Sequence, residues 1–254
     1  MSEGESLALT TAMLLGAAVL VVCVIWLVAR AETLRRHYAA DATGPAGSAA
    51  TVPDGLTLAW GSALVGATAL YLGSLMAPSP GVLLEPALGL GLASSGVAIV
   101  AMGWILLLVD VRVRKLPTEL IAVMGALVVG AWGVYLAVMA AADHLDSRSF
   151  ASAVGAPAIG ALVWVAPIGL GVRLAGVGRG DLRLAPILGF ALGTSSVPLA
   201  LGGLGIAFAT AAAQAIAILF KGHERRARFA LGPHLLAGSW AAWTWGAVGP
   251  VLLA

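Results

Sequence analysis

Charge is scarce in this chain. Of 254 residues only 10% are Asp, Glu, Lys or Arg, while 60% are hydrophobic. Soluble domains carry about a quarter of their residues charged, so a water-facing surface of the usual kind is excluded and the whole reads as one integral membrane domain. Cysteine is nearly absent. The single one, Cys23, lies inside an apolar run, which excludes a disulfide framework and a cysteine-ligated metal centre. Aromatic residues make up 6%, and they do not interleave with basic patches, so nucleic acid is not an expected partner. The first six residues carry Glu3 and Glu5 and no Lys or Arg, unlike the positive start of a cleavable signal peptide. What is plentiful is small: 33 glycines and many alanines let membrane helices pack closely without a hydrophobic drive between them.

The apolar residues fall into eight runs, at 7–29, 56–76, 86–109, 120–142, 152–172, 184–201, 204–220 and 229–254. A helix needs about 20 apolar residues to cross ~30 Å of hydrocarbon. Residues 184–220 as one helix would be roughly 55 Å long, too long for a single crossing, and Gly202-Gly203 is the expected turn between two spans, with Ser195, Ser196 and Pro198 softening the helix before it. The basic residues agree with this count. Arg30, Arg35 and Arg36, then Arg112, Arg114 and Lys115, then Arg173, Arg179 and Arg183, then Lys221, Arg225, Arg226 and Arg228 occupy alternate loops, and only Arg148 lies on the other side. The positive-inside rule puts those four loops in the cytoplasm and the amino terminus outside. The expected fold is therefore all-α: a polytopic transmembrane bundle of about eight spans in the lipid bilayer of a cell membrane. Residues 1–55 would form the first transmembrane helix and a short cytoplasmic loop, flexible through its Ala/Gly/Thr/Pro-rich stretch 39–53. Residues 56–254 would form the membrane-embedded core.

Two acids stand out against this background. Asp110 and Asp181 each sit where an apolar run meets a short basic loop, and a carboxylate at the edge of hydrocarbon is costly. The topology puts both at the cytoplasmic face. Two carboxyls there can share one proton and activate a water, the chemistry of an aspartic protease. Each has a plainer reading. Asp110 beside Arg112, Arg114 and Lys115 would suit a solvated ion pair, and Asp181 after Gly178 and Gly180 would suit the N-cap of a helix. His37, His144 and His223 show no ligand spacing, and neither metal nor organic cofactor is expected.

Three ordered motifs carry a family resemblance. Asp110 precedes Pro117 by seven residues, with Leu116 before the proline and Leu120 three after it. Gly178-Arg179-Gly180-Asp181-Leu182-Arg183-Leu184-Ala185 follows, and then Leu231-Gly232-Pro233-His234-Leu235-Leu236-Ala237-Gly238 after a basic loop. Together they resemble the signatures of the type IV prepilin peptidases, membrane aspartic proteases of the GxGD class. The resemblance implies Asp110 and Asp181 as the catalytic pair, supported by Gly178, Gly180, Arg183, Pro117, Gly232 and Pro233. It implies pilin-like precursor proteins as substrate partners, cut on the cytoplasmic side of the bacterial cell membrane.

Some positions depart from the family. Arg183 replaces its lysine, Thr118 replaces an Asp or Asn after the proline, and His234 replaces an aromatic, where a helix-packing role is the expectation. The first cytoplasmic loop holds none of the paired Cys-x-x-Cys motifs of bifunctional members. Thiolate zinc ligation is thereby excluded, which withdraws the usual basis for N-methyltransferase activity. Two rival classes share the same acids: an ion- or proton-coupled transporter, and a noncatalytic assembly factor with a peptidase-like fold. Transporter sites lie near midplane within repeated halves, whereas here both acids share one face and no repeat is visible.

Overall fold

The computed structural model describes residues 86–113, 116, 118–141, 147–174, 176–220 and 231–253, together with positions 14, 18, 21, 22, 25, 26, 29 and 61. These residues form six helices: α1 (Pro86–Val113), α2 (Thr118–Ala141), α3 (Ser147–Leu174), α4 (Arg179–Gly193), α5 (Val197–Phe220) and α6 (Gly232–Leu253). No strand occurs among the described residues. Among the described residues, three stretches are long and apolar enough to cross a membrane: Thr118–Ala137, Phe150–Leu174 and Val197–Phe220. Apart from the scattered helical positions, the first run with its loop and the second run lie outside the described residues.

The chain divides into two compact units, Met1–Ala137 and Val138–Ala254. In the first, the stretch of α1 from Gly96 to Asp110 has no exposed residue. An apolar sequence with no polar stripe folds into such a buried helix. On α2 the burial is one-sided. Leu120, Ile121, Met124, Val128, Trp132 and Tyr135 are buried at helical spacing, while Val129 and Val134 are about half exposed. Trp132 stacks on Tyr135 with ring centroids 5.2 Å apart.

In the second unit glycine sets the helix spacing. A Cβ on Gly193 would lie 2.8 Å from the Cα of Pro157, and one on Gly189 would lie 2.9 Å from the Cβ of Trp164. Backbone therefore meets backbone where α3 crosses α4. A second crossing joins α5 and α6, where a Cβ on Gly238 would come within 2.7 Å of Ala207 Cβ. Small residues at such crossings let helices gain dispersion contacts that lipid would otherwise supply equally well. Trp164, fully buried, donates its indole N–H to the carbonyl of Ala200 at 2.8 Å, tying α3 to the first turn of α5. Outward-facing Leu162, Leu170, Leu201, Ile216 and Phe220 are more than half exposed. Large apolar side chains both inside and outside suit a bundle solvated by lipid.

One expectation is corrected here. The break between the sixth and seventh apolar runs falls at Thr194-Ser195-Ser196, and Gly202-Gly203 lies inside α5. The polar side chains complete the ends that the break creates. Thr194 Oγ1 donates to the carbonyl of Ala191 at 2.7 Å, and Ser196 Oγ accepts the N–H of Leu199 at 3.2 Å, the bond an N-cap serine makes to the third helical residue. Pro198 falls in the first turn, where its missing N–H costs nothing. Gly203 serves as a packing surface: a Cβ there would lie 2.8 Å from Leu192 Cδ1 and 3.1 Å from Ala242 Cβ.

Candidate active site

Asp110 stands three residues before the end of α1, on the first unit, and is only 4% exposed. Leu106, one turn earlier, and Val109 beside it are buried with it. Its Oδ2 is buried and, among the described residues, has no hydrogen-bond partner. Roughly nine of ten buried polar side-chain and backbone groups are paired, so this oxygen is an exception. The solvated ion-pair reading needs an exposed carboxylate, and Asp110 is not one. The proline that marks its motif, Pro117, lies outside the described residues.

Asp181 belongs to the second unit and is 7% exposed. The residue that caps α4 is Gly178, with φ −64° and ψ 141°, so Asp181 is the third helical residue and not the N-cap. Its side chain folds back toward the helix start, placing Oδ2 3.0 Å from where a Cβ on Gly178 would sit. Gly178 is thus needed for room and not for an unusual backbone conformation. Gly180 lies between them, half-buried in the same turn. A carboxylate in the first turn sits at the positive end of the helix dipole. Arg183, half a turn on, is exposed.

The third motif opens α6. Gly232 is buried and Pro233 half-buried, the proline again falling in a first turn. The carbonyl of Leu231 accepts the N–H groups of His234 and Leu235 at 3.0 and 3.1 Å. His234 packs against α5: its Nδ1 lies 3.1 Å from Thr210 Oγ1 and its Nε2 is within hydrogen-bonding reach of Gln214 Oε1. The Thr210 hydroxyl donates to the carbonyls of Ile206 and Ala207, both at 3.0 Å. Thr210 and Gln214 were not singled out from sequence. Their signal was there, since two polar residues one turn apart interrupt an otherwise apolar helix.

Among the described residues, then, Asp110 and Asp181 are the only buried acids. Gly178 and Asp181 are brought together within one turn, and Glu119, the acid next to the first motif, is exposed. Among the same residues no three His, Cys, Asp or Glu side chains cluster as metal ligands would. No family model, curated protein or solved structure matches this chain.

Proposed function

We propose that the chain is a GxGD-class membrane aspartic endopeptidase that removes the amino-terminal leader of type IV prepilin-like precursors. It would act at the cytoplasmic face of a bacterial cell membrane, within an eight-span bundle whose amino terminus is outside. The observation that carries this reading is the burial of Asp110 and Asp181 as the only buried acids described, each at a helix end beside a basic loop. In the reaction one carboxylate takes a proton from water as the oxygen bonds to the scissile carbonyl carbon. The other carboxyl, protonated, polarises the carbonyl oxygen and then protonates the departing amine as the C–N bond breaks. Two such groups titrate as a coupled pair. The bare backbone at Gly178 and Gly180 would let the substrate backbone approach the carboxyl.

The test is direct. The purified chain in proteoliposomes should release the leader from a pilin-like precursor, and an intact precursor after prolonged incubation would remove the proposal. With S-adenosylmethionine present, mass spectrometry of the new amino terminus should find it unmethylated, because the first loop holds no cysteine to bind zinc.

A further inference from the structure

The segment just before the GxGD motif carries a turn of its own. Immediately before it the chain leaves α3 and turns back. Gly176 takes a left-handed conformation, φ +70°, the only positive-φ glycine among the described residues. The N–H of Val177 then donates to the carbonyl of Gly171 at 3.3 Å. The side chain of Val177 lies over the same glycine, its Cγ2 2.9 Å from where a Cβ on Gly171 would sit. One turn further, Leu182 Cδ1 lies 3.6 Å from the corresponding point on Gly169. So the last turn of α3 supplies two bare glycine surfaces, and the residues flanking Gly178 and Asp181 sit on both.

We infer that Gly171, Gly176 and Val177 form a clasp that positions Asp181. They are positioning residues outside the motif, acting through the first turn of α4 and not on the substrate. Left-handed backbone is accessible to glycine, tolerated by asparagine and costly for β-branched residues. A Cβ on Gly176 would meet nothing within 4 Å, so replacement there changes backbone preference and no packing. At Gly171 the reverse holds: the helical backbone accepts alanine, but the added methyl collides with Val177. The two sites therefore break one clasp by independent means. The inference rests on the peptidase reading for its catalytic consequence, while the clasp itself can be measured without any activity.

The experiment uses the full chain with Cys23→Ser and Asp181→Cys, and reads the rate at which a maleimide modifies the introduced thiol in membranes. With the clasp intact the thiol should react slowly, as the 7% exposure of Asp181 implies. Gly176→Val and Gly171→Ala should each raise that rate about tenfold or more. Gly176→Asn should leave it within about threefold, and adding Val177→Ala to Gly171→Ala should bring it back toward the starting value by removing the collision. In parallel, with Asp181 present, Gly176→Val should lower kcat for leader cleavage about tenfold or more while KM stays within about twofold, and Gly176→Asn should retain most of kcat. Unchanged thiol protection in both Gly176→Val and Gly171→Ala overturns the clasp. A protected thiol that these variants expose, in a protein that cleaves no precursor, keeps the clasp and overturns the peptidase reading alone. Where Gly176→Val does not accumulate, the Gly171→Ala and Val177→Ala pair decides the matter.

Discussion

Asp110 and Asp181 are both buried, yet they are held in opposite ways. Asp110 lies near the carboxyl end of a helix with no exposed residue between positions 96 and 110, where the dipole is unfavourable to an anion. Asp181 lies in the first turn of a helix, where the dipole favours an anion and a glycine turn fixes the position. The contrast teaches that the burial of Asp110 is disturbed by altering the packing around α1, and that of Asp181 by altering the turn before α4 or the α3 glycines on which that turn rests.

The comparison is broken most severely at the acids themselves. Asp110→Asn and Asp181→Asn keep nearly the same volume and lose the titrating proton, so each should reduce leader cleavage by roughly 10²–10⁴-fold while the protein still inserts. Full processing by either variant in a membrane assay of precursor mobility would rule out the paired mechanism. Next come the surroundings of Asp110. Leu106 is fully buried one turn before it, and Leu106→Ala should cost about 2–5 kcal/mol of stability. Outward-facing Leu162, 66% exposed, has no such cavity to leave, so Leu162→Ala should cost well under 1 kcal/mol. Thermal denaturation in detergent reads both, and equal losses would contradict the buried and exposed placements.

The loop-held acid answers to a different change. Gly178 has ordinary φ and ψ, so Gly178→Ala strains no backbone, but its methyl would crowd Asp181 Oδ2 at 3.0 Å. Cleavage should fall about 10- to 100-fold through misplacement of the carboxylate, with melting temperature nearly unchanged. A large loss of stability with normal turnover per folded molecule would show that the glycine serves folding and not the acid.

How far all this was legible beforehand varies with the residue. The apolar runs marked the helices, and motif spacing singled out the two acids that prove buried. Gly202-Gly203 misled because a missing Cβ serves a turn and a helix crossing equally well, and only the partners Leu192 and Ala242 decide between them. Thr194 and Ser196 held the real break, but hydroxyl residues become end signals only when their bonds to Ala191 and Leu199 can be seen. The plainer reading of Asp181 as an N-cap differs from its place as the third helical residue for the same reason: an acid before an apolar run favours any place in a first turn. Gly176 and Val177 carried no signal at all, since a left-handed φ and a contact with Gly171 are not properties of single residues.

The smallest expected effect sharpens the contrast best. Glu119 is in the first turn of α2 as Asp181 is in the first turn of α4, so both meet the positive end of a helix dipole. They differ in burial, Glu119 being exposed. If a first-turn position alone explained Asp181, removing either charge would do the same thing: lower stability by about 0.3–1 kcal/mol and leave cleavage intact. Glu119→Gln should do that and no more. Asp181→Asn should instead lose cleavage at a similar or smaller cost in stability, because asparagine keeps the side-chain volume and hydrogen-bonding atoms in the same turn. Melting temperature and cleavage rate measured side by side on the two variants separate the dipole from the chemistry. Matching behaviour in both measurements would reduce Asp181 to a helix-start residue.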